Sequence, residues 1–117
     1  MAPSDTRVIL ITPPPLNDFQ WGKRVEIGLP ADREFGVTRN YAEAAKAVGE
    51  KEGIPVVDVW TAIWEAAGKE QEGLEKYLID GLHLTVAGYN VGSDFVSATH
   101  FSFSLVSLVF GTQLISW

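Results

Sequence analysis

An uninterrupted apolar run near the start of the chain is the feature that most restricts its fold. Residues 8–11 read Val-Ile-Leu-Ile, and one threonine separates them from the three prolines at 13–15. A short β-branched run that ends at turn residues is typical of a strand buried on both faces, as in a parallel sheet. Proline neither pairs within a sheet nor enters a helix interior, so the strand must end there. The sequence therefore predicts an α/β fold built on a parallel sheet.

The segments that follow alternate between helix and strand patterns. Residues 13–39 are predicted to form a long loop that packs on the domain. Asn40 is then predicted as the N-cap of a helix with one apolar face, formed by Tyr41, Ala44, Ala45 and Val48. A second β-rich run covers residues 56–60, and Thr61 is placed to cap the next helix. This order predicts a right-handed βαβ unit, in which ligands bind at the carboxyl ends of the strands.

Composition and charge limit the classes of partner and site. The 117 residues suffice for one domain, and 46% hydrophobic residues are ordinary for a soluble globule. Nine Lys and Arg against fifteen Asp and Glu leave a net charge of −6, which repels phosphate backbones, so we expect no nucleic acid partner. The lack of cysteine excludes disulfides and thiolate sites. With no signal-peptide pattern, we expect a cytoplasmic location. The composition predicts neither membrane association nor an oligomeric state.

The most specific chemistry lies in residues 78–89. Asp80 and His83 are three residues apart across Gly81, and this spacing lets one tight turn bring a carboxylate and an imidazole to the same side. A carboxylate bound to one imidazole nitrogen fixes the tautomer and leaves the other nitrogen free as a general base for a serine hydroxyl. The alternative is that these residues have a structural role alone: Asp-Gly forms a turn, and His83 lies at the start of the next helix. A metal site that adds His100 is not expected, since no second close histidine pair exists.

Several separated motifs carry a family resemblance. The block Asp-Gly-Leu-His-Leu-Thr at 80–85, followed by Gly88-Tyr89, resembles the last conserved block of the GDSL or SGNH ester hydrolases. Residues 9–15, Tyr41-Ala42 and residues 56–60 are similar to the isoamyl acetate-hydrolysing esterase subgroup of that family. The similarity covers roughly residues 7–89.

This resemblance implies a fold, an activity and two residue roles. The implied fold is a partial flavodoxin-like, three-layer α/β/α fold with a parallel sheet. The implied activity is hydrolysis of short-chain carboxylic esters, with small-molecule esters as substrates and no cofactor. The resemblance makes His83 the general base and acid and Asp80 its orienting partner.

The chain departs from the family pattern at the nucleophile. Family members carry their serine in a Gly-Asp-Ser motif after the first strand, and complete the oxyanion hole with a glycine and with the asparagine of Gly-x-Asn-Asp. Here Gly92-Ser93-Asp94 has the wrong order, and Asn17-Asp18 lacks the preceding glycine. The resemblance therefore implies the C-terminal part of an esterase without its N-terminal strands, inactive alone. In the alternative, the chain is a non-catalytic truncated product that at most binds a partner or a membrane.

The composition changes at the end of the chain. Residues 91–117 carry one charged residue, Asp94, and residues 101–105 alternate between apolar residues and serine. We therefore assign residues 1–90 to the hydrolase domain and residues 91–117 to an apolar tail outside the family pattern. Three origins stay open for this tail. It is a segment added by a retained intron or gene-model error, a membrane anchor shorter than the roughly 20 residues that span a bilayer, or a buried strand or helix.

Weaker candidates include an acidic residue and three tryptophans. Asp58 follows a strand pattern, where a carboxylate either serves function or caps the next helix. Trp21, Trp60 and Trp64 either line an acyl pocket or belong to the core, and the core is the simpler interpretation.

Overall fold

The computed structural model describes residues 7–98, 106–110 and 113–116 of the chain. Helices alternate with strands in the order β1 (Arg7–Ile11), α1 (Asp18–Gly22), a 3-10 helix (Lys23–Ile27), α2 (Phe35–Glu52), β2 (Val56–Val57), α3 (Val59–Ala66), a second 3-10 helix (Glu72–Lys76), α4 (Val86–Ala98), β3 (Val106–Phe110) and β4 (Gln113–Ser116). The parallel pairing of β1 with β2 across α2 is the pairing that a βαβ unit requires. The predicted fold class, a partial flavodoxin-like α/β fold with a parallel sheet, is confirmed.

Strand β1 lies inside the sheet, whose order is β2-β1-β3-β4. The Leu10 N–H donates to the Pro55 carbonyl at 2.9 Å, and the Thr12 N–H donates to the Val57 carbonyl at 3.1 Å. On its other edge β1 pairs in parallel with β3 along its whole length, and β3 pairs antiparallel with β4. Ile9 and Ile11 are buried, whereas Val8 is 37% exposed, so the predicted burial of β1 on both faces is wrong. Strands lie along both edges of β1, but only one of its faces is fully covered.

The connection between β1 and α2 is more ordered than the predicted loop. Residues 13–39 contain α1, a 3-10 helix and the first turn of α2. The predicted N-cap at Asn40 is wrong, because α2 begins at Phe35. The Phe35 N–H donates to Asp18 Oδ1 at 2.8 Å, and the Phe35 ring lies 4.9 Å from the Trp64 ring. Contacts with residues distant in the sequence therefore place the start of this helix at Phe35 and not at the predicted N-cap, Asn40.

The face that α2 turns to the sheet also differs from the predicted one. Tyr41 and Val48 are exposed, whereas Ala42 and Gly49 are buried. A Cβ added to Gly49 would collide with the Val56 side chain and lie 2.9 Å from the Ile54 carbonyl oxygen. The helix approaches the sheet so closely that small residues, and not the large apolar ones, face the strands.

The predicted strand at 56–60 is shorter, because Asp58 ends it and begins α3. Asp58 Oδ1 accepts the Thr61 N–H at 3.1 Å, so Asp58 is the N-cap and the predicted cap at Thr61 is wrong. Thr12 Oγ1 donates to Asp58 Oδ1 at 3.2 Å and accepts the Trp60 N–H at 2.9 Å. Burial raises the pKa of Asp58, but the Thr61 hydrogen bonds and the nearby Lys46 charge outweigh it and hold that pKa below its usual range. Asp58 therefore has a structural role, as a cap.

The core joins the sheet to α3, α4 and the segment before α4. Its members are buried apolar side chains from all of these elements: Ile9, Ile11, Val57, Val59, Ile63, Leu74, Tyr77, Leu78 and Val96. Leu78 immediately precedes the segment that contains Asp80. Burial of Leu78 in the core therefore fixes the backbone just before the predicted Asp80–His83 site.

The C-terminal residues are partly described. The boundary that the sequence analysis places at residue 90 lies within α4, and β3 and β4 add two strands to the sheet. His100 and the alternating stretch at 101–105 lie outside the described residues. In the part of the chain that is described, no helix has the length and apolar character needed to cross a membrane.

We expect Gly49→Ala to destabilise the chain, because the added methyl group meets Val56 and the Ile54 carbonyl. The expected loss in the free energy of unfolding is about 1–3 kcal/mol, measured by urea denaturation. Gly36→Ala is the matched control in the same helix, since no atom lies within 4 Å of the added Cβ. That change should leave stability unchanged or raise it by up to about 1 kcal/mol. Equal effects of both substitutions would contradict the close helix-to-sheet contact.

Candidate active site

A tight turn after Ile79 brings Asp80 and His83 together. The turn is closed by the Ile79 N–H, which donates to the His83 carbonyl at 2.7 Å, and by an antiparallel bridge between Leu78 and Leu84. Gly81 has φ 95°, a backbone conformation that favours glycine. The Asp-Gly sequence therefore has the backbone freedom that this turn requires.

The Asp80 carboxylate accepts three hydrogen bonds within the turn. Oδ1 accepts the Leu82 N–H at 2.9 Å and the His83 N–H at 2.8 Å, while Oδ2 lies 2.8 Å from His83 Nδ1. An ionised carboxylate only accepts hydrogen bonds, so we assign the ring proton of neutral His83 to Nδ1. Nε2 then carries the lone pair, and no hydrogen bond to a described residue occupies it. The imidazole is 68% exposed, which leaves this nitrogen accessible.

The electrostatics favour the ionised form of Asp80. Partial burial of the carboxyl group raises its pKa, but the backbone N–H groups of His83 and Leu82, together with the His83 ring, lower it by more. The net effect holds the pKa of Asp80 below its usual range. The carboxylate is therefore charged at neutral pH and able to stabilise an imidazolium beside it.

Thr85 joins the turn to α4. Its hydroxyl accepts the Gly88 N–H at 3.1 Å and donates to the Lys76 carbonyl at 2.8 Å, while its own N–H donates to the Tyr77 carbonyl at 2.9 Å. A Cβ added to Gly88 would collide with the same Tyr77 carbonyl. The threonine and the glycine that follow the histidine in this block are thus structural, since they attach the helix closely behind the turn.

The start of α1 contacts the other side of the turn, and the sequence analysis missed this contact. Asn17 caps α1, and its N–H donates to the Gly81 carbonyl at 2.9 Å. The side chain of Gln20 donates from Nε2 to the Leu78 carbonyl at 3.0 Å. An asparagine with a glutamine three residues later is a recognisable capping pattern, and this pattern is the sequence signal for the start of α1.

The remaining candidates do not join Asp80 and His83. Trp60 and Trp64 pack against each other and against Phe35, with ring centroids 4.9–5.6 Å apart. Trp21 is buried, and its Nε1 donates to Asp32 Oδ1 at 3.3 Å. Trp21 and Trp60 are buried and Trp64 is half-buried, which favours the structural interpretation of these residues.

Neither the serine motif nor a metal site adds to the pair. The Gly-Ser-Asp sequence at 92–94 lies within α4, not at the end of a strand. Among the described residues, no three acidic, histidine or cysteine side chains converge in a way that could hold a metal ion. His100 is not among those residues.

Several curated proteins are similar to this chain, although no family model matches it. It is 40% identical over 83 residues to the isoamyl acetate-hydrolyzing esterase 1 homolog of Mus musculus. The aligned residues make up 70% of this chain and 32% of the mouse protein. It is 36% identical over 85 residues to the Homo sapiens protein of the same name, with 72% and 32% covered. It is 34% identical over 96 residues to a GDSL esterase/lipase of Arabidopsis thaliana, with 77% and 38% covered.

The chain spans about a third of the length of the curated relatives it matches. The identity extends over most of this chain, and the described residues have the α/β order and the Asp-Gly-Leu-His-Leu-Thr block that the resemblance implies. These similarities show that the chain belongs to the GDSL/SGNH hydrolase family.

Proposed function

We propose that Asp80 and His83 supply the carboxylate and the imidazole of a Ser-His-Asp triad that hydrolyses short-chain carboxylic esters. The observation that carries the proposal is the 2.8 Å contact between Asp80 Oδ2 and His83 Nδ1, with the carboxylate held ionised. The names of the relatives support an esterase of the GDSL type. The serine nucleophile and the oxyanion donors belong, in this proposal, to residues beyond these 117.

The proposed reaction follows from the accessible Nε2 of His83. The serine hydroxyl attacks the ester carbonyl as Nε2 removes its proton, so a C–O bond forms and an oxyanion develops. When the C–O bond to the alcohol breaks, the imidazolium returns the proton to the departing alkoxide. Water then attacks the acyl-enzyme by the same proton transfers and releases the carboxylic acid. Asp80 keeps Nδ1 protonated throughout and stabilises the imidazolium.

We expect the Asp80–His83 pair alone to be insufficient for catalysis. Loss of the nucleophile alone costs triad enzymes on the order of 10⁶ in turnover, and each absent oxyanion donor costs roughly 10² to 10³. An exposed Asp-His pair therefore retains a base but little of the transition-state stabilisation.

We expect the 117-residue chain to show no triad-dependent esterase activity. Incubation with a fluorophosphonate should leave its serines unlabelled, as read by intact mass. The same chain carrying His83→Ala is the control and should behave identically. Rapid stoichiometric labelling of one serine in the unmodified chain, lost in His83→Ala, would show that the nucleophile lies within these residues.

We expect a longer protein that contains these residues to be active. The test is a chimera in which residues 7–89 replace the aligned segment of the mouse relative, assayed with nitrophenyl acetate. His83→Ala should lower kcat/KM by about 10⁴- to 10⁶-fold, and Asp80→Asn by about 10⁴-fold. Glu75→Gln, an exposed carboxylate outside the pair, should leave the activity unchanged. Full activity of the folded His83→Ala chimera would contradict the proposed role.

We expect the pKa of Asp80 to lie below that of an ordinary aspartate, and His83→Ala to move it upward because one hydrogen-bond donor is removed. Carbon-detected NMR of the side-chain carboxyl reports this titration in the intact chain. Because folding lowers this pKa, the resulting stability is present above about pH 4 and is lost as the pH falls through the folded value. The side chain is 40% exposed, so the titration is a sharper readout than unfolding. An Asp80 titration that His83→Ala leaves unchanged would contradict the contact.

A further inference from the structure

The residue that caps α1 is a buried amide with every hydrogen-bonding group engaged. Asn17 is 1% exposed, and a buried amide without partners costs free energy. Its Oδ1 accepts the Phe19 N–H at 3.0 Å and the Gln20 N–H at 3.5 Å. Its Nδ2 donates to Gln20 Oε1 at 2.9 Å and to the Gln71 carbonyl at 3.0 Å. A helix cap needs only Oδ1. The two Nδ2 bonds also satisfy the buried amide, fix the Gln20 side chain and join α1 to Gln71.

Gln20 extends this network to the residues that flank Asp80. With Oε1 bound to Asn17, its Nε2 donates to the Leu78 carbonyl at 3.0 Å. The Asn17 backbone N–H donates to the Gly81 carbonyl at 2.9 Å. The first turn of α1 therefore holds one carbonyl two residues before Asp80 and another one residue after it.

The steric contact on the same side is equally close. A Cβ added to Gly81 would lie 2.7 Å from the Asn17 carbonyl oxygen and 2.7 Å from the Trp21 nitrogen, and 3.0 Å from Gln20 Cβ. Such distances leave no room for a side chain between the helix and the turn. The backbone of the turn therefore packs directly against the backbone of α1, which leaves the turn little room to move.

We propose that Asn17 and Gln20 form an amide clasp that sets the position of the Asp80–His83 turn, which makes them positioning residues for the reaction. This inference rests on the proposed function, since only the triad gives the position of the turn a chemical meaning. The imidazole is attached to the rest of the chain through this turn, so a small displacement of the turn moves Nε2 away from the serine. Displacements of about 1 Å can cost about 10²-fold in rate.

Substitutions at Gln20 test the clasp in the 117-residue chain without removing the cap at Asn17. Gln20→Met keeps a similar volume and removes both side-chain hydrogen bonds. Gln20→Glu keeps the acceptor for Asn17 but removes the donor to Leu78. Because the added carboxylate of Gln20→Glu could itself repel Asp80, the neutral methionine variant decides the question. Asn40→Asp, an amide-to-acid change at an exposed position of α2, is the control.

The readouts are local to the turn. Hydrogen exchange at the Leu82 and His83 amides, both bound to Asp80 Oδ1, should accelerate about tenfold or more in Gln20→Met, and the titration of Asp80 should move toward the ordinary aspartate range. The urea midpoint should fall, because Gln20→Met leaves the buried Asn17 amide without one partner. Amide exchange in α3 reports that global loss, and exchange at Leu82 and His83 should accelerate beyond it. If Gln20→Met leaves the exchange of the Leu82 and His83 amides unchanged, the proposed clasp is wrong. Equal acceleration throughout the chain also overturns it, because it shows general destabilisation.

The chimera separates this inference from the proposed function. Gln20→Met should lower its kcat by about 10²-fold while KM changes little. An unchanged kcat despite a loosened turn overturns the positioning role. If the parent chimera is folded but inactive, while the exchange results hold in the 117-residue chain, then the proposed function fails and the contact between α1 and the turn stands.

Discussion

Three hydrogen bonds to a single carboxylate, that of Asp80, hold together the part of the structure to which we assign function. Two of them come from backbone N–H groups and close the turn, and the third comes from the His83 ring. The same atoms thus determine the backbone path and the orientation of the imidazole. Because the donors stabilise the charged form, the carboxylate remains ionised where it faces the ring.

A second aspartate shows how the same chemistry serves structure alone. Asp58 also accepts backbone and side-chain donors at the end of a strand, and its pKa is also lowered. Its partners are Thr61, Thr12 and Lys46, none of which is a base at neutral pH. Its side chain is 22% exposed, against 40% for Asp80. The nature of the partner and the greater exposure of the carboxylate distinguish the candidate site from a helix cap.

Local patterns predicted features whose causes are local. The apolar run at 8–11 predicted β1 as a strand within a parallel sheet, although Ile9 and Ile11 are buried and Val8 is exposed. The Asp-Gly-Leu-His spacing predicted the contact between Asp80 and His83, because the glycine conformation and the backbone donors of the turn lie within four residues. The family resemblance was confirmed by the relatives, while the catalytic roles of the pair remain predictions.

Predictions failed where a distant contact outweighed a local preference. The helix predicted from Asn40 begins at Phe35, because Asp18 accepts the first N–H and Trp64 packs on the phenyl ring. Tyr41 and Val48 of that helix face solvent, because Val56 in the sheet approaches Gly49 too closely for a larger side chain on that face. Asp18 and Trp64 are distant from Phe35 in the sequence, so no periodicity within α2 could reveal where the helix begins.

The sequence by itself determined the class of fold, the family and the pairing of Asp80 with His83, since each depends on residue types at short spacing. Tertiary structure alone decided that Asn17 and Gln20 lie against this pair. Their partners, Leu78 and Gly81, are about sixty residues away along the chain. Hydrogen bonds across that separation form only after the core has brought α1 and the turn together, because they depend on three-dimensional proximity and not on local spacing.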